Sequence, residues 1–317
     1  MRRIDPMVRL LVLAIVLATV LPVAERWAGV AQFVSNAAVF LLFLLNGLRL
    51  PRREVIAGMG HWRLLAPLVG FVFVVMAAAG WWLWQATVSL LPPMLALGFL
   101  FLGTLPSTVQ SATAYTSLAG GNVASSVVAA ALLSIIGVFL TAPLFALLAG
   151  SGAAGFDSAG LIKVMTILLL PFALGQALQR WLGGWVAGHR TLVTWVDRLS
   201  IAVAVFVAFS AAVRQGIWSR IEAPGWVGLV AGCALLLAVG YGGAWALSGA
   251  LRLARGDRIA MTYAGAQKSV AMGAPLATVL FPPAAAGLLL LPTLVYHLAT
   301  LMVAAPIAAR LSRPAAT

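Results

Sequence analysis

The chain has 317 residues, of which 63% are hydrophobic and 9% charged, and its mean hydropathy is +1.06. Such a composition excludes a large soluble domain and fits a series of apolar runs of about 20 residues, each able to cross a bilayer as a helix. The net charge of +13 comes from Arg in short loops, so it orients a membrane protein and is no signal of nucleic-acid binding.

The first apolar segment covers residues 7–23 and follows Arg2 and Arg3. Its basic start and apolar middle resemble a signal peptide, but there is no clear A-x-A cleavage site and further membrane segments follow at once, so a retained helix is expected. The second covers 30–48 and ends in a basic loop with Arg49, Arg52, Arg53 and Arg63. The third covers 64–84 and closes on Trp81, Trp82 and Trp84, an interfacial aromatic anchor. After Pro92-Pro93 comes an apolar run too short to span, then the polar break Leu105-Pro106-Ser107-Thr108-Val109-Gln110-Ser111, then a second short run to Ala119. Pro106 removes a backbone donor, and two short helices meeting at a polar break mark a discontinuous transporter helix. The fifth segment covers 123–148, and the Gly/Ala/Ser-rich stretch 150–160 reads as a linker.

The second half repeats the plan, with segments at 163–182, 195–215, 226–250, 259–280 and 284–309. The ninth segment contains GAQKSVAMGAP (Gly265–Pro275) and, within it, Lys268. Every other Lys, Arg, Asp or Glu falls at or near the end of an apolar run. A charge near the bilayer centre costs roughly 2.5–3.5 kcal/mol on insertion scales, so Lys268 is a functional candidate, the competing reading being a stem that snorkels to the interface. The expected fold is therefore an all-α integral membrane protein of ten transmembrane helices. Residues 1–149 and 163–317 form two five-helix repeats joined by a linker at 150–162, with helices 4 and 9 broken. Five is odd, so the second repeat is inverted, and matched breaks in inverted repeats point to a midplane binding site.

Charge supports this topology. With both termini on one side, that side carries fifteen of the twenty Lys and Arg residues, the other side carries Arg26, Lys163, Arg214 and Arg220, and Lys268 is left within. By the positive-inside rule both termini are cytoplasmic, which places the chain in the cytoplasmic (inner) membrane. Cys233 is the single cysteine, which excludes a disulfide within one chain, and in its apolar run it reads as a small packed hydrophobe.

Three stretches carry a family resemblance: LPSTVQSATAYTSLAGGNVASSV (Leu105–Val127), GVFLTAPL (Gly137–Leu144) and QKSVAMGAPLATVLFPPAAAGLLLLPTLVYH (Gln267–His297). In these the sequence resembles the bile acid:sodium symporter family, in its SBF-like branch, which includes bacterial proteins and the seventh member of human solute-carrier family ten. The resemblance implies a panel domain and a core domain, with the fourth and ninth helices unwound where they cross, and it implies secondary transport. One departure concerns the ion. The clearly sodium-coupled carriers of that family have a glutamate about one turn before the glutamine of the second crossing, and here that position is Tyr263 or a neutral neighbour. Ser107, Thr108, Gln110, Ser111, Asn122, Ser126 and Gln267 offer neutral oxygens, but none of Asp5, Glu25, Glu54, Asp157, Asp197, Glu222 and Asp257 is expected at mid-membrane. Sodium coupling is therefore in doubt.

The candidate substrate- and ion-binding residues are Ser107, Thr108, Gln110, Ser111, Asn122, Ser126, Tyr263, Gln267, Lys268 and Ser269. A buried cation and helix N-termini at a break favour an anion, and the apolar surroundings allow an amphipathic organic acid. Lys268 is expected to be its charge partner in one of two ways: exchanging a proton with each cycle, or staying charged in place of sodium. Tyr115 and Tyr263 could gate or bind substrate; packing explains them equally well. His297 reads as a core histidine more readily than as a proton relay. Asn36 and Asn46 fit helix–helix hydrogen bonds as well as a transport path. No nucleophile–base pair, paired carboxylate or metal motif supports an enzyme, and no cofactor beyond Na⁺ or H⁺ as coupling ion is implied. The partners expected are a small organic anion and membrane lipid, with no nucleic acid and the oligomeric state open. A membrane sensor or assembly subunit on a transporter fold is the alternative from another class.

Overall fold

The computed structural model describes residues 6–49, 59–153, 158–219 and 221–312. Arg2, Arg3, Asp5, Arg52, Arg53, Glu54, Asp157, Arg220 and Arg313, all used in the charge argument, lie outside them, as does part of the stretch read as a linker.

The described residues form helices and short turns, with no strand. α1 spans Pro6–Val20 and α2 spans Ala28–Arg49. α3 spans Trp62–Thr87 and contains a π turn at Phe71–Val75. The fourth expected segment is two helices, α4 (Pro93–Thr104) and α5 (Val109–Leu118), bent by 62°. α6 (Val123–Ala153) is interrupted at Gly150, where φ is +73°. α7 (Ser158–Gly188) and α8 (Arg190–Arg214) follow. α9 spans Ala223–Ala250 and contains a second π turn, Val239–Gly243. α10 (Arg255–Ala266) and α11 (Val270–Leu280) are separated by three non-helical residues, and α12 spans Pro283–Leu311.

Among the described residues, six helices (α2, α3, α6, α8, α9 and α12) are long and apolar enough to cross a membrane, or seven spans if the bent α4–α5 pair counts as one. The chain is a multi-pass integral membrane protein. α1, at 15 residues, is shorter than the roughly 20 that a full span needs. The α10–α11 pair carries Arg255, Asp257, Arg258 and Lys268.

The chain divides into two compact units. The first comprises Met1–Leu50, Gly150–Ala223 and Ala271–Leu291. Within it α2 and α7 approach to backbone contact. A Cβ on Gly47 would lie 2.3 Å from the Phe172 carbonyl oxygen, and one on Gly175 would lie 2.2 Å from that of Leu44. Lipid tails supply no hydrophobic drive between helices, so backbone approach of this kind, through van der Waals contact and interhelical hydrogen bonds, is what holds them. Gln176 Nε2 donates to the Gly47 carbonyl at 2.5 Å, and Gln179 Nε2 donates to that of Leu48 at 3.2 Å. Arg49 at the end of α2 forms an ion pair with Asp197 of α8 and donates to the Val193 carbonyl at 3.2 Å.

The second unit comprises Pro51–Ala149, Pro224–Val270 and Pro292–Thr317. Its core gathers on α3, where Leu68, Phe71, Val72 and Met76 are buried with Leu133 of α6, Ala244 of α9 and Met261 of α10. α3 and α4 also touch backbone to backbone. A Cβ on Gly80 would lie 2.5 Å from the Phe99 oxygen, and one on Gly103 would lie 2.6 Å from the Met76 oxygen. α5 ends in a Schellman turn. Gly120 takes φ +70°, its N–H donates to the Ser117 carbonyl, and the Gly121 N–H donates to that of Thr116. A residue with a Cβ would be strained at that φ.

Candidate functional site

Both helix breaks lie in the second unit. At the first, residues 105–108 are non-helical. The cause is local. Pro106 has no N–H to donate and drives the residue before it out of the helical region, and Leu105 sits at φ −69°, ψ 144°. The proline ring occupies the slot left by Gly137, where a Cβ would come 2.6 Å from Pro106 Cγ.

At the second break, residues 267–269 are non-helical. Gln267 takes φ −73°, ψ 141°, nearly the same conformation as Leu105, although no proline follows it. Here the cause is tertiary. The Ser269 N–H donates to the Pro106 carbonyl at 2.9 Å. Thr108 Oγ1 donates to the Lys268 carbonyl at 2.9 Å, and Ser111 Oγ donates to Gln267 Oε1 at 2.8 Å. The two polar interruptions therefore satisfy each other's backbone in a region where unpaired peptide groups are costly.

Lys268 is 1% exposed, so its stem does not snorkel. Its Nζ donates to the carbonyls of Gly103 at 2.9 Å and Leu105 at 2.8 Å, and lies 3.5 Å from that of Val72. The first two belong to the end of α4, where carbonyls lack helical partners and the helix dipole is negative. Val72 lies in the π turn of α3, which lengthens the hydrogen-bonded ring by one residue and turns a carbonyl away from its usual donor. An ammonium has three donors, and each meets a backbone carbonyl. Asp257 is the one carboxylate among the described residues of this unit. It lies in the first turn of α10, nine residues before that helix ends, or ~14 Å along the axis at 1.5 Å per residue.

The second π turn faces the other break. A Cβ on Gly240 would lie 3.2 Å from Ala266 Cα, so glycine permits the approach of α9 to α10. Tyr241 Oη accepts from Gln267 Nε2 at 3.5 Å, and Tyr296 Oη donates to the Ala266 carbonyl at 2.6 Å. Each half-helix C-terminus thus has its own donor: an ammonium at α4 and a phenol at α10. The chain's 4 tyrosines all gather on this side. Tyr115 and Tyr263 stack at 5.9 Å, and Tyr241 meets Tyr263 edge-on at 6.0 Å. Tyr115 Oη donates to Leu301 O at 3.1 Å and Tyr263 Oη to Ala304 O at 3.3 Å, tying α5 and α10 to α12.

Of the residues singled out from the sequence, Ser107, Thr108, Ser111, Gln267, Lys268 and Ser269 come together at the breaks. Ser107 Oγ is buried there without a hydrogen-bond partner. Gln110 is exposed on the first turn of α5. Tyr263 is buried one turn before Gln267 and packs in the tyrosine group. Ser126 accepts from Thr116 Oγ1 at 3.2 Å and joins the end of α5 to α6. His297 is buried on α12. Asn36 accepts from Gln32 Nε2 one turn back on α2 at 2.9 Å, and Asn46 is half-buried. Sequence reasoning missed Tyr241, Tyr296, both π turns and the carbonyls that receive Lys268. Only the run Gly240-Tyr241-Gly242-Gly243 inside an apolar segment offered a local sign of one of them.

Asn122 belongs to a separate cluster. Its Oδ1 accepts the Ser125 N–H at 3.1 Å, as an N-cap of α6, and its Nδ2 donates to Asp257 at 2.8 Å. Ser125 Oγ also donates to Asp257 at 2.9 Å, and the Asn122 N–H reaches the Gly256 carbonyl at 3.0 Å. Asn122→Ala should cost about 0.5–2 kcal/mol from the lost cap, with a further loss from the weakened Asp257 pairing. Thermal unfolding of the variant beside Ser125→Ala measures it, and Asn122→Ala is expected to be the more damaging.

Sequence comparison identifies a transporter family. The model of the SBF-like CPA transporter family matches residues 5–313. An uncharacterized protein of Pseudomonas aeruginosa is 40% identical over 304 residues, 96% of this chain and 91% of the relative. The "Putative symporter YfeH" of Escherichia coli strain K12 is 37% identical over 317 residues, 98% of this chain and 94% of the relative. The mouse protein "Sodium/bile acid cotransporter 7" is 25% identical over 177 residues, 56% of this chain and 52% of the relative. With breaks, buried lysine and helical plan covered by one family match across nearly the whole length, this chain belongs to the SBF-like CPA transporter family, a family of membrane transporters and not of enzymes.

Proposed function

We propose that this transporter carries a small organic anion across the cytoplasmic membrane by alternating access. We read its fold as ten transmembrane segments in two inverted five-helix repeats, residues 1–149 and 163–317, with broken fourth and ninth segments. The observation that carries this reading is the pair of helix breaks hydrogen-bonded to each other around a buried cation. Half-helix ends meeting in this way form the ion and substrate sites of secondary transporters. The repeat reading gains support from the third segment of each half, α3 and α9, since each contains a π turn that faces a break. The relatives are named as a symporter and a cotransporter.

Charge argues for an anion. The N-terminal turn of α5 opens beside the first break with Val109 and Gln110 exposed and Thr108 half-buried, and its unpaired N–H groups favour negative charge. Lys268 adds a positive charge in the same network, since Thr108 donates to its carbonyl. In this reading Thr108, Ser111, Gln110 and Gln267 contact the substrate, and Lys268 acts through its field rather than by touch. The neighbouring Ser107 hydroxyl is a further donor. The partners are then this anion and the surrounding lipid.

Proteoliposome uptake of a panel of small carboxylates and organic sulfates, by wild type and Lys268→Gln, tests the reading. Saturable uptake that Lys268→Gln abolishes or severely weakens is expected. Binding of panel anions, seen as thermal stabilisation, without any flux would overturn transport and favour a sensor on the same fold.

Orientation is a separate expected result. With Cys233, which is buried, changed to Ala, single cysteines at Arg190 and Arg255 should react only with a thiol reagent that reaches the cytoplasm, and one at Trp82 only from outside. Outside labelling at Arg255 would overturn the positive-inside assignment of both termini to the cytoplasm.

A further inference from the structure

We infer that Lys268 is the built-in cation of the crossing, standing where a coupling sodium ion would bind, so that this carrier moves its substrate without sodium. The inference rests on the transporter reading above and specifies its ion coupling.

In broken-helix transporters, unwound backbone carbonyls and the C-terminal ends of half-helices are the groups that coordinate a coupling cation, while half-helix N-termini face the anionic substrate. Here the carbonyls of Gly103 and Leu105, at the C-terminal end of α4, and of Val72, in a π turn, converge on Lys268 Nζ at 2.8–3.5 Å. The ligand set that the fold offers to a cation is thus taken by one on the chain itself. Sodium fits this arrangement poorly for two reasons. A second unit charge within about 4 Å of the ammonium would be repelled by it at close range in a site with little water to screen the pair. Among the described residues of this unit no carboxylate offsets it, since Asp257 is held by Asn122 and Ser125 at the far end of α10. At the second half-helix C-terminus the Ala266 carbonyl is already engaged by Tyr296 Oη at 2.6 Å. A tethered ammonium also explains why the second break can stay extended with no proline. The carbonyl of Lys268 is held by Thr108 and its side chain by α4, so the residue spans the crossing from both sides.

The test uses the full chain and needs no substrate. Thermal unfolding is followed in choline chloride while sodium chloride, propylammonium chloride or propanol is titrated in, with ionic strength held constant for the salts. Wild type should unfold at the same temperature in sodium as in choline. Lys268→Ala removes the three methylenes and the ammonium that propylammonium would replace. It should unfold at lower temperature and regain several degrees with propylammonium and none with propanol. Saturable stabilisation of wild type by sodium would overturn the inference, as would equal rescue by propanol, which would mean that the side chain only fills space. If Lys268→Ala cannot be recovered folded, the wild-type sodium titration decides alone. Flux separates the two readings. Panel uptake that occurs only with sodium would overturn the built-in cation and leave transport standing, whereas stabilisation without flux in either medium would overturn transport.

Discussion

A Lys268→Met variant should lose most of its uptake and much of its stability, although methionine is close in length and better suited to an apolar interior. Two effects oppose each other. Removing a buried ammonium relieves a desolvation cost of several kcal/mol, and replacing whole buried ion pairs by apolar residues is often neutral. In this case only one side of the interaction is removed. The carbonyls of Gly103, Leu105 and Val72 stay in place, and each buried acceptor left without a donor costs about 1–3 kcal/mol. Water could satisfy them only by entering the crossing, which opens the packing of α3 on α4. Three orphaned carbonyls together cost roughly 3–9 kcal/mol, which should exceed the relief and leave a net loss of stability. Lys268→Arg should not restore function, because a planar guanidinium cannot direct its donors to three carbonyls around a point. Thermal unfolding together with uptake measures both. A Met variant as stable as wild type would mean that the ammonium does not hold these carbonyls.

The parts of the site that were legible in the sequence are those with a local cause. Pro106 removes a helical donor and restricts the residue before it, and Lys268 is conspicuous in an apolar run because its cost is local too. Matching Gln110-Ser111 with Gln267-Lys268-Ser269 was enough to pair the breaks, and Ser111 does meet Gln267. The extended conformation of Gln267 was less legible, since bonds to Pro106 and Thr108, about 160 residues away, impose it. The π turns were not legible at all in α3, where Phe71–Val75 is an ordinary apolar run, because packing sets them. Composition also grouped Asn122 and Ser126 with the crossing. A short polar side chain after a helix end serves a cap as readily as a ligand, and the sequence does not distinguish the two uses. The separation into two units has no local sign in the sequence, because each unit draws on both halves of the chain; only the family resemblance implied a division into two domains.

Gly103→Ala should be nearly as damaging as loss of the lysine, and for a linked reason. The added methyl would lie 2.6 Å from the Met76 carbonyl oxygen and 3.1 Å from Gly80 Cα, so α4 must move away from α3. Backbone cannot yield as a flexible side chain does, and overpacking of this kind costs typically 1–3 kcal/mol. The same displacement carries the Gly103 carbonyl away from Lys268 Nζ, now 2.9 Å distant, so the transport defect should exceed what the stability loss alone explains. Gly80→Ala tests the packing half of the argument. Its methyl would lie 2.5 Å from the Phe99 oxygen, straining the same helix pair without altering a lysine ligand directly. Gly70→Ala is the control, since nothing lies within 4 Å of its Cβ and alanine gains up to about 1 kcal/mol over glycine within a helix. The expected order of unfolding temperature is Gly70→Ala at or above wild type, then Gly80→Ala and Gly103→Ala together below it. Uptake per folded molecule should fall furthest in Gly103→Ala. If Gly103→Ala folds and transports like Gly70→Ala, α3 and α4 are not in backbone contact at this point, and the cation site cannot be set by their approach.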